Sequence, residues 1–373
     1  MSKIRPLERA DIPQVASLYE RIERSGKGEA PLGLGRHFER TFLDHPWADP
    51  EIPSLVYEDA NGAIKGFVGS HVRHLRFGHE SIRLACPGQL VADFDVRKRA
   101  AGFFLLRQYL NGEQDVTITD TAGKPTRRMW EGLGGRVVHH NCVEWFRLFR
   151  PWRIVGDRML KRAELPRLRE IAAAVWPALD SVTTRLGRRF FRPAASSLRA
   201  EELTPGSLVV ATRSLGSGWR LCPAYDEQFS EWLLEEASSV RSYGTLIGRL
   251  VRDANGHTAG WYLYYAKEGE LGHVLQVVAK PQDMGAVVDH LYRDAFERGV
   301  AALRGRLEAR LFEALAERRV LLRRSEMGIT LVHSRNQELE NAVLAGDTLL
   351  SRLDGEWWAG FHLERYGRDE SRG

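Results

Sequence analysis

Four residues, Asp59-Ala60-Asn61-Gly62, recur as Asp253-Ala254-Asn255-Gly256. Each copy is followed by three residues and then a glycine with an aromatic: Gly66-Phe67 in the first, Gly260-Trp261 in the second. Asn-Gly accepts the positive φ of a tight turn, so each copy reads as a β-hairpin. Two unrelated hairpins can share Asn-Gly. Sharing the rest of the frame without a gap points to an internal duplication. A chain of 373 residues built this way holds two versions of one domain, which fits its length.

The first half gives an element order. Ile4 to Pro6 reads as a strand. Asp11 before Ile12-Pro13 suits a helix start, and Val15, Leu18, Tyr19 and Ile22 follow at helical spacing. A Gly-rich loop leads to a second helix over Gly35 to Leu43. Ser54 to Glu58 and Lys65 to Val72 are the hairpin strands, and a bend at Cys86-Pro87-Gly88 precedes the next strand. That strand, Leu90 to Val96, runs into the basic turn Arg97-Lys98-Arg99-Ala100-Ala101-Gly102 and then an amphipathic helix from Phe103 to Leu110. Gln114 to Thr119 is a strand, Lys124 to Leu133 a helix closed by Gly134-Gly135, and Val137 to Phe146 is strand-like again. The order is β-α-α-β-β-β-α-β-α-β.

The strand–turn–helix junction matters most for function. A small-residue turn opening a helix aims backbone N–H groups at an anion, and the positive helix end and three basic side chains favour one there. Arg97, Ala100 and Gly102 resemble the pyrophosphate loop of the GCN5-related N-acetyltransferase (GNAT) superfamily: Arg or Gln, two residues, Gly or Ala, one residue, Gly or Ala. The element order is also that of the family. Arg128-Met129-Trp130-Glu131-Gly132-Leu133-Gly134 resembles its Leu-Tyr-Glu-Lys-Leu-Gly-Phe segment. The resemblance implies an α/β fold with two GNAT folds in tandem, each a mixed central sheet flanked by helices. It implies a GNAT-like domain over 1–150, a helical connection over 151–205, a degenerate second domain over 206–366 and a polar tail over 367–373.

The second half supports a degenerate copy. Gly272 to Ala279 stands for the strand before the loop, and Met284 to Arg298 for the helix after it. Between them Lys280-Pro281-Gln282-Asp283-Met284-Gly285 lacks the Arg-led pattern, and Pro281 removes an N–H. Ala301 to Leu307, Val320 to Leu322 and Met327 to Val332 are its remaining strands. The connection reads as two Arg-studded helices, Leu160 to Val175 and Leu179 to Phe190. The tail Arg352 to Trp358 reads as a turn and a closing strand, with its tryptophans in packing.

Composition excludes several classes. No run of about 18 apolar residues is present, so no membrane span is expected. Three cysteines, Cys86, Cys142 and Cys222, form no metal pattern, and their odd number argues against a disulfide framework; with no signal sequence, a cytoplasmic protein is expected. The net charge of +5 is scattered through mixed-charge helices, so no nucleic acid is expected.

The resemblance implies an acyl-CoA-dependent N-acyltransferase, with acetyl-CoA or another acyl-CoA as co-substrate and a small-molecule amine as acceptor. Phe94, Val96, Arg97, Lys98, Arg99, Ala100, Ala101, Gly102 and Phe103 are the expected coenzyme A contacts, Phe94 and Val96 through backbone N–H groups. Asp93 and Asp95 share a strand face and are the candidate bases; His139 and His140 are further candidates. His37, Arg40 and His45 are candidates for lining the acceptor site. The family's usual acid, a Tyr, is replaced by Trp130, whose indole cannot serve; the acid stays open, with solvent and Tyr109 as candidates. Two alternatives stay open: a non-catalytic acyl-CoA-binding or scaffold protein, and a Fem-type aminoacyl transferase.

Overall fold

The structure, a computed structural model, describes residues 2–23, 30–94, 100–154, 156, 166–325 and 328–360. Its strands are β1 (Lys3–Pro6), β2 (Leu55–Glu58), β3 (Ile64–Phe77), β4 (Glu80–Ala92), β5 (Val116–Ala122), β6 (Arg136–Val137), β7 (Val143–Leu148), β8 (Arg199–Glu202), β9 (Leu221–Pro223), β10 (Thr245–Arg252), β11 (Thr258–Ala266), β12 (Leu271–Ala279), β13 (Ala302–Arg306), β14 (Leu321–Arg324) and β15 (Ile329–Ser334). Its helices are α1 (Ile12–Glu23), α2 (Leu32–Phe42), α3 (Ala101–Leu110), α4 (Lys124–Gly132), α5 (Pro166–Leu186), α6 (Arg188–Phe191), α7 (Pro205–Leu215), α8 (Glu227–Ser238), α9 (Met284–Glu297), α10 (Phe312–Ala316) and α11 (Gln337–Ala345). Where two helices were expected across 160–190, α5 runs through Pro177 as one; Leu160 itself lies outside the described residues.

The chain forms two compact units. The first comprises Met1–His139, Gly216–Ser242 and Glu326–Gly373. Its sheet has the order β1-β2-β3-β4-β5-β15-β6, with β9 on the edge of β3 beyond β2. Val15 and Leu18 of α1 pack with Phe38 and Phe42 of α2 and Phe67 of β3 on one face. Leu105 and Tyr109 of α3 pack with Tyr57, Val68 and Val72 on another cluster of the same sheet. Each fully buried side chain of this kind contributes roughly 1.5–3 kcal/mol. The chain leaves β4 through α3 and returns as β5 parallel to it, the crossover that a parallel pair requires.

The second unit comprises His140–Leu215 and Tyr243–Ser325. Its sheet has the order β14-β7-β13-β12-β11-β10-β8, and β12 and β13 are again parallel across α9. The expected apolar positions of α9, Val287, Val288, Leu291 and Tyr292, are buried in its core. The repeated hairpin turns match atom for atom in their bonding. Asp59 Oδ1 accepts from Asn61 N and Ala63 N, and Asp253 Oδ1 from Asn255 N and His257 N. Gly62 and Gly256 stand at φ 83° and 85°, which only glycine adopts without cost.

Three expectations are corrected. β7 was expected to finish the first half, but it lies between β13 and β14, pairing Trp145 with Gly305 and Leu322. β15 was expected to finish the second half, but it lies between β5 and β6, pairing Val332 with Ile118 and Arg136. Alternation marks a strand but not its sheet; the neighbours decide. A Cβ at Gly305 would fall 2.5 Å from the Trp145 ring, so this glycine makes room for that indole. Third, β4 does not break at Pro87. The strand continues through it opposite Ser70, with a register shift between Phe67 and Gly69 and Gln89 at φ 49°. The edge of β4 away from β3 has no paired strand there, which is where proline is tolerated.

Candidate active site

β4 and β5 are bonded to each other only at Leu84–Val116 and Ala85–Thr117, and beyond those pairs the two strands run on without pairing. The β-bulge at Gln89 turns β4 at the same level. The gap is a cavity of about 400 Å³. Gln89, Leu90 and Val91 line it from β4, Thr119 and Thr121 from β5, Leu106 from α3 and Trp130 from α4. The segment after α11 supplies Glu356 and Trp357.

Glu356 is the central group. It is 4% exposed. Its Oε1 accepts from Thr119 Oγ1 (2.5 Å), Thr121 Oγ1 (2.9 Å) and Asp120 N (3.2 Å). Its Oε2 is buried without a hydrogen-bond partner. Burial first, and then the charge of Asp120, push the carboxyl up to about 8. Asp120 holds the segment in place, because its Oδ1 accepts from Glu356 N (3.1 Å) and Trp357 N (3.0 Å). Gly355 permits this approach: a Cβ there would fall 2.5 Å from Asp120 Oδ2. Trp358 packs as expected, fully buried with its Nε1 donating to Leu353 O (2.9 Å). The closing strand expected for this tail is a turn instead.

Trp130 is also fully buried, and its Nε1–H has no partner. A buried indole N–H without an acceptor is costly, and this one belongs to a residue of the cavity wall. A buried polar cluster around Arg73 interacts electrostatically with Asp354 and Glu356. Arg73, 1% exposed, has Nη1 3.0 Å from His45 Nε2 and donates to Val72 O (2.9 Å). Burial lowers its pKa, opposed by the charges of Asp354 and Glu356. Asp354 accepts from Ser351 N (2.8 Å) and from the Tyr225 hydroxyl, and burial raises its pKa.

The residues expected from the sequence lie as follows. Asp95, Val96, Arg97, Lys98 and Arg99 are outside the described residues. Asp93 is buried and ion-paired with Arg21 Nη2 (2.7 Å) and Lys65 Nζ (3.3 Å), and it is not among the residues lining the cavity. Phe94 is 64% exposed. Ala100 takes the left-handed conformation at φ 56° and opens α3; Ala101 is buried, and a Cβ at Gly102 would be in ordinary contact with Ala92 Cβ at 3.9 Å. Phe103 packs edge-on against Phe104. Tyr109 is in the core with its hydroxyl 2.9 Å from Ser70 Oγ, and burial raises its pKa, so it is not placed to act as the acid. His37 and His45 are buried away from the cavity lining, and Arg40 pairs with Glu236 (2.5 Å). His139 and His140 are likewise not among the lining residues. Sequence reasoning missed Glu356 and Asp120. The only signal was the acidic, Trp-rich tail, Asp354-Gly355-Glu356-Trp357, and nothing local says that it enters a cavity.

Among the described residues, no group of three His, Cys, Asp or Glu is placed to hold a metal ion. No helix among them is long and apolar enough to cross a membrane. Cys86, Cys142 and Cys222 are buried and not disulfide-bonded.

No protein-family profile matches the chain, and neither does any curated protein. Solved structures do. A GCN5-related N-acetyltransferase from Anabaena variabilis ATCC 29413 aligns over 90% of this chain and 73% of its own, with TM-score 0.57 and 10% identity. A conserved protein of unknown function from Enterococcus faecalis V583, named as a probable N-acyltransferase, aligns over 90% and 72%, with TM-score 0.56 and 9% identity. A GCN5-related N-acetyltransferase from Kribbella flavida aligns over 90% and 71%, with TM-score 0.54 and 12% identity. The fold is therefore that of the GCN5-related N-acetyltransferases, as the loop, segment and element order implied.

Proposed function

We propose that the protein is an acyl-CoA-dependent N-acyltransferase that moves an acyl group, acetyl foremost, to an amine of a small molecule. The observation that carries this reading is Glu356: a buried carboxyl, pushed up to about 8, in the gap between two parallel strands of the N-acetyltransferase fold. A bound acyl-CoA would supply the activated thioester. The turn ending in Ala100-Ala101-Gly102 and the start of α3 would take its diphosphate, with Arg97, Lys98 and Arg99 as counter-charges. Trp130, on the wall of the gap, would offer its Nε1–H to an acceptor oxygen of the bound molecule.

Glu356 then answers for the Tyr that this chain lacks. Three donors on Oε1 hold the carboxyl in one orientation and leave Oε2 for the proton. An ordinary carboxylate is too weak a base to take a proton from an amine. One raised to about 8 is matched to the task near neutral pH. The same oxygen can return that proton to a departing thiolate, so a single group does the work of base and acid. Asp93, held by two cations, has a positioning part at most.

The second reading, a non-catalytic acyl-CoA-binding protein, is favoured by Trp130 alone. One assay separates them: thiol release from acetyl-CoA across a panel of small amines. An enzyme releases thiol only when its amine is present, and Glu356→Gln slows release about 10²–10⁴-fold, the usual worth of a general acid–base. It also removes the pH dependence centred near 8. Binding of acetyl-CoA with no turnover on any amine supports the second reading. Gly102→Glu, whose Cβ has room, is expected to abolish acetyl-CoA binding and leave the fold intact.

A further inference from the structure

The second unit holds a larger cavity, about 720 Å³, whose wall carries five arginines and two carboxylates. The carboxylates are already engaged. Asp289 is paired with Arg318 in two hydrogen bonds (2.9 and 3.0 Å), and Glu317 with the same arginine at 3.3 Å. Arg293 is satisfied by Glu297 (2.8 Å). The lining therefore keeps a positive excess that its own acids do not cancel.

Two of its side chains each keep one buried polar atom without a partner. Arg147, on β7, is 6% exposed; its Nη1 donates to Phe190 O (2.8 Å), and its Nε has no partner. Tyr292, on α9, is 2% exposed, and its hydroxyl has no partner. The Arg147 guanidinium lies over the Tyr292 ring, 5.7 Å from its centroid, so the two side chains pack on each other in the same wall. Burying a guanidinium without an anion costs several kcal/mol. A water molecule could satisfy a hydrogen bond there but not the charge. Arg192, an exposed side chain, also lines this cavity. Pro193, Ala194 and Ala195 follow it as an apolar wall.

The chemistry that suits this lining is an acceptor-rich anion with an organic part. A phosphate group has enough oxygens to take Arg147, Arg192 and the Tyr292 hydroxyl together, and guanidinium geometry matches it. The cavity volume exceeds that of a lone oxyanion and falls in the range of small-molecule sites. We propose that this cavity of the second unit binds a small phosphorylated molecule, its phosphate on Arg147, Arg192 and Tyr292 and its organic part against Pro193-Ala194-Ala195. The site is separate from the gap between β4 and β5 and does not depend on the acyltransferase reading.

The test is calorimetric titration of the full chain with inorganic pyrophosphate. The chain carries Gly102→Glu, so that the turn before α3 does not contribute. Saturable binding is expected, weakened at least about tenfold (about 1.4 kcal/mol) by Arg192→Ala, an exposed position that the fold tolerates. Tyr292→Phe, which removes only the hydroxyl, is expected to weaken it about fivefold. No binding at millimolar pyrophosphate overturns the proposal. So does binding that both variants leave unchanged.

Discussion

Glu356→Gln has a consequence for stability that needs no substrate. In the unfolded chain this carboxyl titrates near its ordinary 4.5, and in the folded chain near 8. Below 4.5 both states hold the proton and the group is neutral in the balance. Between 4.5 and about 8 only the folded chain holds it, so stability falls as the pH rises, and above about 8 the whole loss is present. At about 1.4 kcal/mol per pH unit the loss is about 5 kcal/mol at most, reduced by whatever relaxation the cavity allows. Glutamine keeps the acceptor for Thr119, Thr121 and Asp120 N and cannot ionise. Urea unfolding of both proteins is measured from pH 5 to pH 9. This term is expected to separate the two by only about 1 kcal/mol at pH 5 and to widen steadily, with the variant more stable by a few kcal/mol at pH 9. Curves that stay parallel across that range would show that Glu356 ionises normally, and its part as a proton carrier would fall with them.

Gly355→Ala puts a methyl 2.5 Å from Asp120 Oδ2 and so drives apart the carboxylate and the segment it holds; a loss of about 1–3 kcal/mol by urea unfolding is expected, with a lower apparent pKa for Glu356 as water enters. Glu144 is 1% exposed and ion-paired with Arg304, so Glu144→Ala is expected to cost about 3 kcal/mol, read from the same denaturation curves. A fragment of residues 1–150 lacks β15, the strand between β5 and β6, and is expected to show no cooperative urea transition; a sharp one would mean that the first sheet closes without it.

Much of the fold is legible in the sequence because much of it is local. The turns at Asp59 and Asp253 are set by an Asx bond and a glycine within five residues. Val15, Leu18 and the apolar row of α9 lie at helical spacing whatever they pack against. The small residues before α3 announce a helix start with room for an anion. For the candidate site the same local reading reached Trp130, which does line the gap. It reached Asp93 and Asp95 because strand alternation puts both on one face; alternation is silent on the partners, Arg21 and Lys65, that pair with Asp93.

What the sequence determined by itself is most of the elements and the duplicated hairpin, each fixed by torsions and spacing within a few residues. Only the tertiary structure decided that β7 and β15 pair outside the halves they come from, since an alternating strand fits either sheet until side chains such as Trp145 find their pockets. It alone made Glu356 a chemical group of interest. A carboxyl is raised by the water it loses and by the charge beside it, and here that charge, Asp120, stands 236 positions away in the chain.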